Sequence, residues 1–428
     1  MTTKSLSLFF VLLCCWILPS TAEAASKPFP QHTPYVSGSI LPNHVSRSQL
    51  DADVLSYYQS WKTRYLRTVS DTSPTQKYVF YNREGYSSPS NAVSCSEGHG
   101  YGMLAAVIMA DADPEAHTDF NALYYFYKAH TSSHNPALMS WQQLSSNGKI
   151  VDNTADGDDS ATDGDLDIAL SLLMAHRTWS SNGSINYKAE AEKILAAIMS
   201  SEVHPSEWIL KLGDWVSSSD STYGKGTRSS DFMLGHLKTF VRLDTARSTS
   251  WQKVHDKTVS IVNWQFTNGG SKNTGLMPDF FKKSSSGSYI PTKGVYLESS
   301  HDGDYSWNAC RTPWRLAMSY LLEGDGSVKS ALDRFNTWIV SKTGGTPSKV
   351  KAGYYVANGT NGNAYASYNE LAFTAPLAVS AMMSPSQQSW LNALWKHMVS
   401  TPIDQGEYFG NTLKLHAMIV ASGNWWLP

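Results

Sequence analysis

Cysteine and charge are both scarce in this chain. Of four cysteines in 428 residues, Cys14 and Cys15 fall within the first 25, which leaves Cys95 and Cys310 far apart in the remainder. A disulfide framework of the kind that staples small secreted domains is thereby excluded. The remaining pair is open to one disulfide or to two buried thiols, and no Cys/His spacing suggests a zinc site. Charged residues make up 16% of the chain and the formal net charge is −2. Without a basic stripe, a nucleic-acid partner has no electrostatic footprint. Beyond residue 25 no apolar run approaches the length needed to cross a membrane. The acidic run Asp152–Asp165 lacks the ligand spacing and terminal Glu of a calcium loop. Neither a metal nor another cofactor is expected.

Apolar and aromatic residues are plentiful: 41% of the chain is hydrophobic, with 15 Trp and 22 Tyr. An aromatic surplus with few charges suits a large core. It also suits a polysaccharide groove, where flat rings lie on the apolar faces of sugars. Residues 1–25 read as a secretory signal peptide: Lys4, the apolar run Leu8–Leu18, then Ala22-Glu23-Ala24-Ala25 with a cut near Ala24 or Ala25. The mature chain, 26–428, is expected to be secreted and monomeric.

Helical periodicity predicts helices over 49–69, 94–110, 120–129, 166–179, 187–201, 230–244, 250–265, 307–322, 329–343, 371–381, 387–398 and 408–422. Strand signals are brief, as at 76–86 and 353–356. No Pro/Gly linker or charge shift divides the chain, and no fixed-period repeat marks a solenoid. Apolar helices alternate with amphipathic ones, as Leu166–Ala175 alternates with Tyr187–Ser201. An inner helical ring wrapped by an outer one produces that alternation, so the fold class is all-α in one large domain.

Three acidic landmarks sit at helix starts. Asp163, Asp165 and Asp167 precede or open the apolar helix at 166–179, where Asp serves as a cap and a dipole partner. Glu97 stands in Ser94-Cys95-Ser96-Glu97-Gly98-His99-Gly100-Tyr101-Gly102-Met103. Each Gly in a helix costs about 1 kcal/mol relative to Ala, and three at alternate positions suggest that another group approaches the backbone closely. The third landmark runs from Tyr296 to Arg315 and holds Glu298, Asp302, Asp304 and Arg311.

The stretch Ala161-Thr162-Asp163-Gly164-Asp165-Leu166-Asp167-Ile168-Ala169, continuing to Trp179, resembles the signature of glycoside hydrolase family 8. The SEGHGYGM block is similar to that family's general-acid segment. Leu138–Gln143, Thr227–Met233 and Asn308–Arg315 match it in order, so the likeness covers nearly all of the mature chain. It implies an (α/α)6 barrel and hydrolysis of β-1,4-linked glycans with inversion. Carried over, Glu97 is the proton donor and Asp163 holds the sugar at the cleavage subsite beside it. The cellulase-like part of the family has an Asp before its Ala-x-Arg segment, and this chain has Asn308, an amide that takes no proton from water. In the subgroup of bacterial chitosanases and lichenases that position is likewise Asn, and a Glu about ten residues upstream supplies the base. Glu298 sits there, with Asp302 and Asp304 as weaker candidates.

The resemblance therefore implies an endo-chitosanase, with β-1,3-1,4-glucan or cellulose as alternative substrates. The Asp-rich loops at 156–165 and 302–304 could supply an acidic field for a polycation. Trp141, Trp215, Tyr101, Tyr305 and Tyr368 are candidate sugar platforms, each open equally to core packing. Arg311 steadies carboxylates or substrate. Asp165 and Asp167 stay capping or structural. A non-catalytic glycan-binding protein on the same barrel is the alternative from another class, although binding alone needs neither glutamate.

Overall fold

The computed structural model describes residues 25–428; the signal peptide read at 1–25 lies outside the described residues except for Ala25. Twelve α-helices account for the architecture. They are α1 (Arg47–Tyr65), α2 (Ser96–Ile108), α3 (Ala116–Ala129), α4 (Thr162–Trp179), α5 (Tyr187–Ser201) and α6 (Leu234–Leu243). The second half supplies α7 (Ser248–Thr267), α8 (Thr312–Glu323), α9 (Lys329–Thr343), α10 (Leu371–Ala381), α11 (Gln388–Ser400) and α12 (Tyr408–Ala421).

Even-numbered helices pack in the order α2, α4, α6, α8, α10, α12 and close back on α2, and each odd-numbered helix lies outside an even-numbered one. This is the (α/α)6 barrel. Burial follows the ring. Every residue of α2 is buried except Glu97, and all of α10 is buried, so neither needs an amphipathic stripe. On α5 only one face is buried, through Tyr187, Ala191, Ile194, Leu195, Ala197 and Ile198. Because one outer helix intervenes between successive inner ones, the inner helices run parallel. Their N-termini share one end of the barrel.

Glycine explains how α2 and α4 come so close. A Cβ on Gly100 would sit 2.7 Å from the Cβ of Asp167, and one on Gly164 would sit 2.6 Å from the Ser96 carbonyl carbon. The helices interlock backbone to backbone at their N-terminal turns through Gly100 and Gly164, whereas Gly98 faces Tyr408 and Gly102 faces Val79.

Small sheets decorate the ring. β1 (Leu66–Thr68) pairs with β2 (Lys77–Val79). β3 (Ala92–Cys95), β4 (Gln142–Ser146) and β5 (Lys149–Asp152) form one antiparallel sheet. β6 (Gly226–Arg228), β7 (Phe280–Lys283) and β8 (Tyr289–Pro291) form another. These strands trim the helices expected from periodicity. The helix predicted to run to 69 stops at Tyr65, where β1 turns to pair Leu66 with Val79. The one predicted from 94 starts at Ser96 because Cys95 pairs with Gln142. The one predicted from 307 starts at Thr312, after a 3₁₀ turn over Ala309–Arg311, with Pro313 in its first turn. Residues 353–356 form only isolated bridges through Tyr354.

At the opposite end of the barrel the segment 25–40 straps across the C-termini of inner helices. Phe29, Thr33, Val36 and Ile40 donate backbone N–H groups to the carbonyls of Ala110, Gly423, Leu321 and Met382 at 2.8–2.9 Å. These acceptors belong to the carbonyls that helix ends leave unpaired. Gly164→Ala should lower stability by about 1–3 kcal/mol, since the added methyl meets backbone that cannot step aside. Calorimetric unfolding checks this, and an unchanged melting temperature would show that the two helices part freely.

Candidate active site

The N-terminal end of the ring holds a cleft of about 440 Å³, whose lining includes Glu97, Asp163, Glu298, Arg228, Asn308 and Arg311. Two inner helices and one loop thus bring the three sequence-predicted carboxylates together. Glu97 opens α2, Asp163 opens α4, and Glu298 lies on the loop after β8. Among the described residues no group of three His, Cys, Asp or Glu side chains is placed to hold a metal ion.

Arg311 is the hub. Its Nη1 donates to Glu97 Oε2 and to Asp163 Oδ2, both at 2.8 Å, and its Nη2 donates to Asn308 Oδ1 at 2.9 Å. Asn308 Nδ2 donates in turn to Glu298 Oε2 at 2.7 Å. The other Glu298 oxygen, Oε1, pairs with Arg228 Nη2 at 2.9 Å. A guanidinium and a carboxamide therefore stand between the two glutamates, fixing their separation without letting them touch.

Their surroundings differ. Burial raises the Glu97 carboxyl to about 7; Arg311 pulls against this, and Asp163 adds to it. A helix N-terminus favours a carboxylate, so burial is what outweighs it. The Glu298 side chain is 43% exposed and accepts on both oxygens, which leaves it open to water.

The remaining acidic residues have structural tasks. Asp302 Oδ2 accepts the backbone N–H groups of Tyr296, Leu297 and Glu298 at 2.7–2.9 Å, and its Oδ1 accepts that of Ser299. Asp304 Oδ1 accepts three more, from Val356, Ala357 and Asn358. Both are buried and saturated, so they organise loops and are poor candidates for a base or for an acidic field. No side chain caps α4, whose N-cap is Ala161. Asp165 and Asp167 are thus structural and not caps. Asp165 accepts from the Met139 N–H, and burial followed by the neighbouring Glu202 pushes its carboxyl well up. Burial disfavours the Asp167 charge, but Arg315 and His236 outweigh it and hold the carboxyl below the ordinary range.

The aromatic candidates separate. Trp141 lines the cleft, its indole N–H bonded to the Asp156 carbonyl at 2.8 Å. Tyr101 and Tyr305 do not reach it. Tyr101 is buried beneath Arg311 between Trp314 and His416, and Tyr305 packs among Phe335, Tyr354 and Phe373. Both sit on inner-helix or core-facing positions where ring size fills the barrel. Trp215 packs against Leu212, Val216 and Phe280 away from the cleft, and Tyr368 is half exposed outside its lining. Cys95 and Cys310 are free and buried, which closes the disulfide alternative.

Four contributors were not singled out from sequence. Trp307, 37% exposed, lines the cleft with Trp141. Arg228 and Asp231 lie inside the quoted Thr227–Met233 segment, where two opposite charges amid small residues were a usable signal. Burial and Asp163 raise Asp231 to about 7, against the pull of Arg228. Asp279 had no signal at all. It accepts the Ser306 and Ala309 N–H groups, and burial raises it to about 8.

Asp163→Asn removes one of the influences that raise Glu97. The folded pKa of the acid should fall below about 7, so the limb of the pH–kcat/KM profile that declines with rising pH should move to lower pH. An unmoved limb would exclude this role for Asp163. Asp302→Ala leaves four amides without their acceptor, at about 1–3 kcal/mol for a buried unsatisfied group. Lower stability together with a larger fall in kcat than in binding is expected, read by calorimetry and steady-state kinetics.

Comparison with known proteins agrees with this geometry. The family model described as glycosyl hydrolases family 8 matches residues 52–423. A β-glucanase from Niallia circulans is 46% identical over 97% of this chain and 96% of its own length. An endoglucanase from Bacillus sp. (strain KSM-330) is 37% identical over 96% of this chain and 84% of its own. The solved apo structure of a β-1,3-1,4-glucanase from Paenibacillus sp. X4 superposes with a TM-score of 0.86 at 45% identity, covering 94% of this chain and 99% of that one. A xylanase from Teredinibacter turnerae, 19% identical with a TM-score of 0.71 over 90% of this chain and 96% of its own, shares the fold. This chain belongs to glycosyl hydrolase family 8 and is a glycoside hydrolase.

Proposed function

We propose that the protein is an inverting endo-β-glucanase whose preferred substrate is β-1,3-1,4-glucan. The observation carrying the substrate is the 45–46% identity, over nearly full lengths, to two proteins named for β-glucan or β-1,3-1,4-glucan. Charge on the cleft floor supports the same choice over chitosan, the substrate first suggested by the Glu298/Asn308 pattern. Glu97 and Asp163 pair with Arg311, and Glu298 pairs with Arg228. The floor thus offers compensated charge to the chain, which suits neutral glucose units better than cationic glucosamine.

In this reading Glu97, protonated near neutral pH, donates its proton to the glycosidic oxygen as the bond to the anomeric carbon breaks. A water activated by Glu298 attacks that carbon from the opposite face, and the carboxylate takes up the proton the water loses. Inverting enzymes hold the two carboxyls roughly 6.5–9.5 Å apart to admit this water, a role the Arg311–Asn308 spacer serves. Asn308 orients the base and does not replace it. Asp163 fixes a sugar hydroxyl beside Glu97, and Trp141 and Trp307 offer ring faces to sugars on the cleft walls. Secretion, expected from the leader, would bring the enzyme to an extracellular polysaccharide.

Sugar release from β-1,3-1,4-glucan, carboxymethylcellulose and chitosan tests the substrate. The first should be the best, and release from chitosan alone would overturn the choice. Proton NMR of the earliest product should show the α-anomer; an initial β-anomer would exclude inversion. Glu97→Gln and Glu298→Gln should each lower kcat about 10²–10⁴-fold, the usual worth of a general acid or base. Full activity in the second would remove Glu298 from the reaction.

A further inference from the structure

The strap at the closed end of the barrel begins with an unusual contact. The backbone nitrogen of Ala25, itself 7% exposed, points at both carboxylate oxygens of Asp111, 3.2 Å from Oδ1 and 3.0 Å from Oδ2. Asp111 lies on the loop joining α2 to α3 and holds a left-handed backbone, φ 64°. The next strap residue is tied down as well: the Ser26 N–H donates to the Thr178 carbonyl in the last turn of α4 at 3.0 Å. Three residues on, the Phe29 N–H donates to the Ala110 carbonyl just past α2 at 2.9 Å. The nitrogen of Ala25 therefore sits between the C-terminal ends of two parallel inner helices, where backbone carbonyls concentrate negative charge. A neutral amide uses one N–H there. An ammonium has three and the charge that the place favours.

The sequence places a cleavage pattern at this point, with Ala22 and Ala24 as the two small residues before the bond. We propose that the chain is cut between Ala24 and Ala25, and that the α-ammonium so freed pairs with Asp111 and locks the strap onto the barrel floor. In the cut, water adds to the Ala24 carbonyl carbon and the C–N bond breaks. The water oxygen stays on Ala24 as carboxylate, and the Ala25 nitrogen takes up the protons as ammonium. Cutting one residue later would discard the Asp111 contact and leave Ser26, whose N–H has a backbone partner already. The inference rests on reading residues 1–24 as a leader, and it assigns the bond and a structural consequence that the motif alone leaves open.

Charged groups around the new terminus are Asp111 and, on the strap, Lys27, which lies 5.5 Å over the Trp426 ring; Arg177 in the last turn of α4 meets the strap through its backbone carbonyl, which accepts from the Ser26 hydroxyl. A free α-amino group has a pKa near about 7.7–8.0, and pairing with Asp111 raises it in the folded protein. The contribution is therefore complete below about pH 7 and lost as pH rises through the folded value.

The full chain, exported from a bacterial host, is analysed by N-terminal sequencing and intact mass. Ala25 should be the first residue. Any other new terminus would overturn the proposed bond, and an uncut chain would overturn the leader reading itself. Asp111→Asn suits the second arm, because Asn tolerates the left-handed backbone. At pH 6.5 it should melt about 1–2 °C below the native mature protein, and the gap should close by pH 10. No gap, or an equal gap at both pH values, would overturn the ammonium pairing.

Discussion

A single buried guanidinium organises the catalytic end of this barrel. Arg311 donates to Glu97, to Asp163 and to the Asn308 that holds Glu298. Burying such a cation is costly unless its charge and its donors are answered on the spot, and here two carboxylates and an amide oxygen answer it, with the Phe409 ring 5.4 Å away. The same count governs proton occupancy. One buried cation balances one buried anion, so two carboxyls on Arg311 leave one in surplus. Glu97 is that surplus group, raised to about 7. Around Arg228 the pattern repeats: Glu298 takes the cation, and buried Asp231 is raised to about 7. The proton that the proposed chemistry needs is thus held by burial at the helix start together with a shortage of positive charge.

Bringing that geometry about depends on backbone approach. Helices α2 and α4 can deliver Glu97 and Asp163 to one guanidinium only if their first turns touch, and the touching surfaces are Gly100 against Asp167 and Gly164 against Ser96. Glycine lowers intrinsic helix stability at each of these positions. Burial on all sides of α2 and α4 repays the loss, since a fully buried inner helix draws its stability from packing more than from propensity.

The ring of helices was legible because its signal is long and redundant. The inner helices α2, α4 and α10 carry apolar runs that no short strand can cancel. The boundaries were less legible for a physical reason: at Cys95, Leu66 and Ala309 the chain leaves the helical period to satisfy a partner distant in sequence, Gln142, Val79 and Asp279 respectively. The acidic landmarks pointed to the right residues, yet Asp302 and Asp304 looked like Glu298 until their oxygens were found filled by backbone amides. Aromatic type alone did not separate Trp141, on the cleft, from Tyr101 and Tyr305, inside the barrel, because a ring fills a core as well as it lines a groove. Asp279 was invisible, being one Asp between Pro278 and Phe280 with no pattern about it.

The two glutamates then divide their tasks by the elements that carry them. Glu97 projects from the first turn of an inner helix whose other residues are all buried, and that setting favours the protonated form the proposed reading requires. Glu298 projects from a loop and is 43% exposed, which suits the water-activating role proposed for it. A loop would be a poor support for a base if it could wander. Asp302 removes that freedom by gathering the amides of Tyr296, Leu297 and Glu298 onto one oxygen, so the exposed residue rides on a pinned backbone. Identical side chains thus acquire different surroundings and different access to solvent from the elements that carry them, and the pinned backbone under Glu298 rests on Asp302, which takes no part in the proposed chemistry.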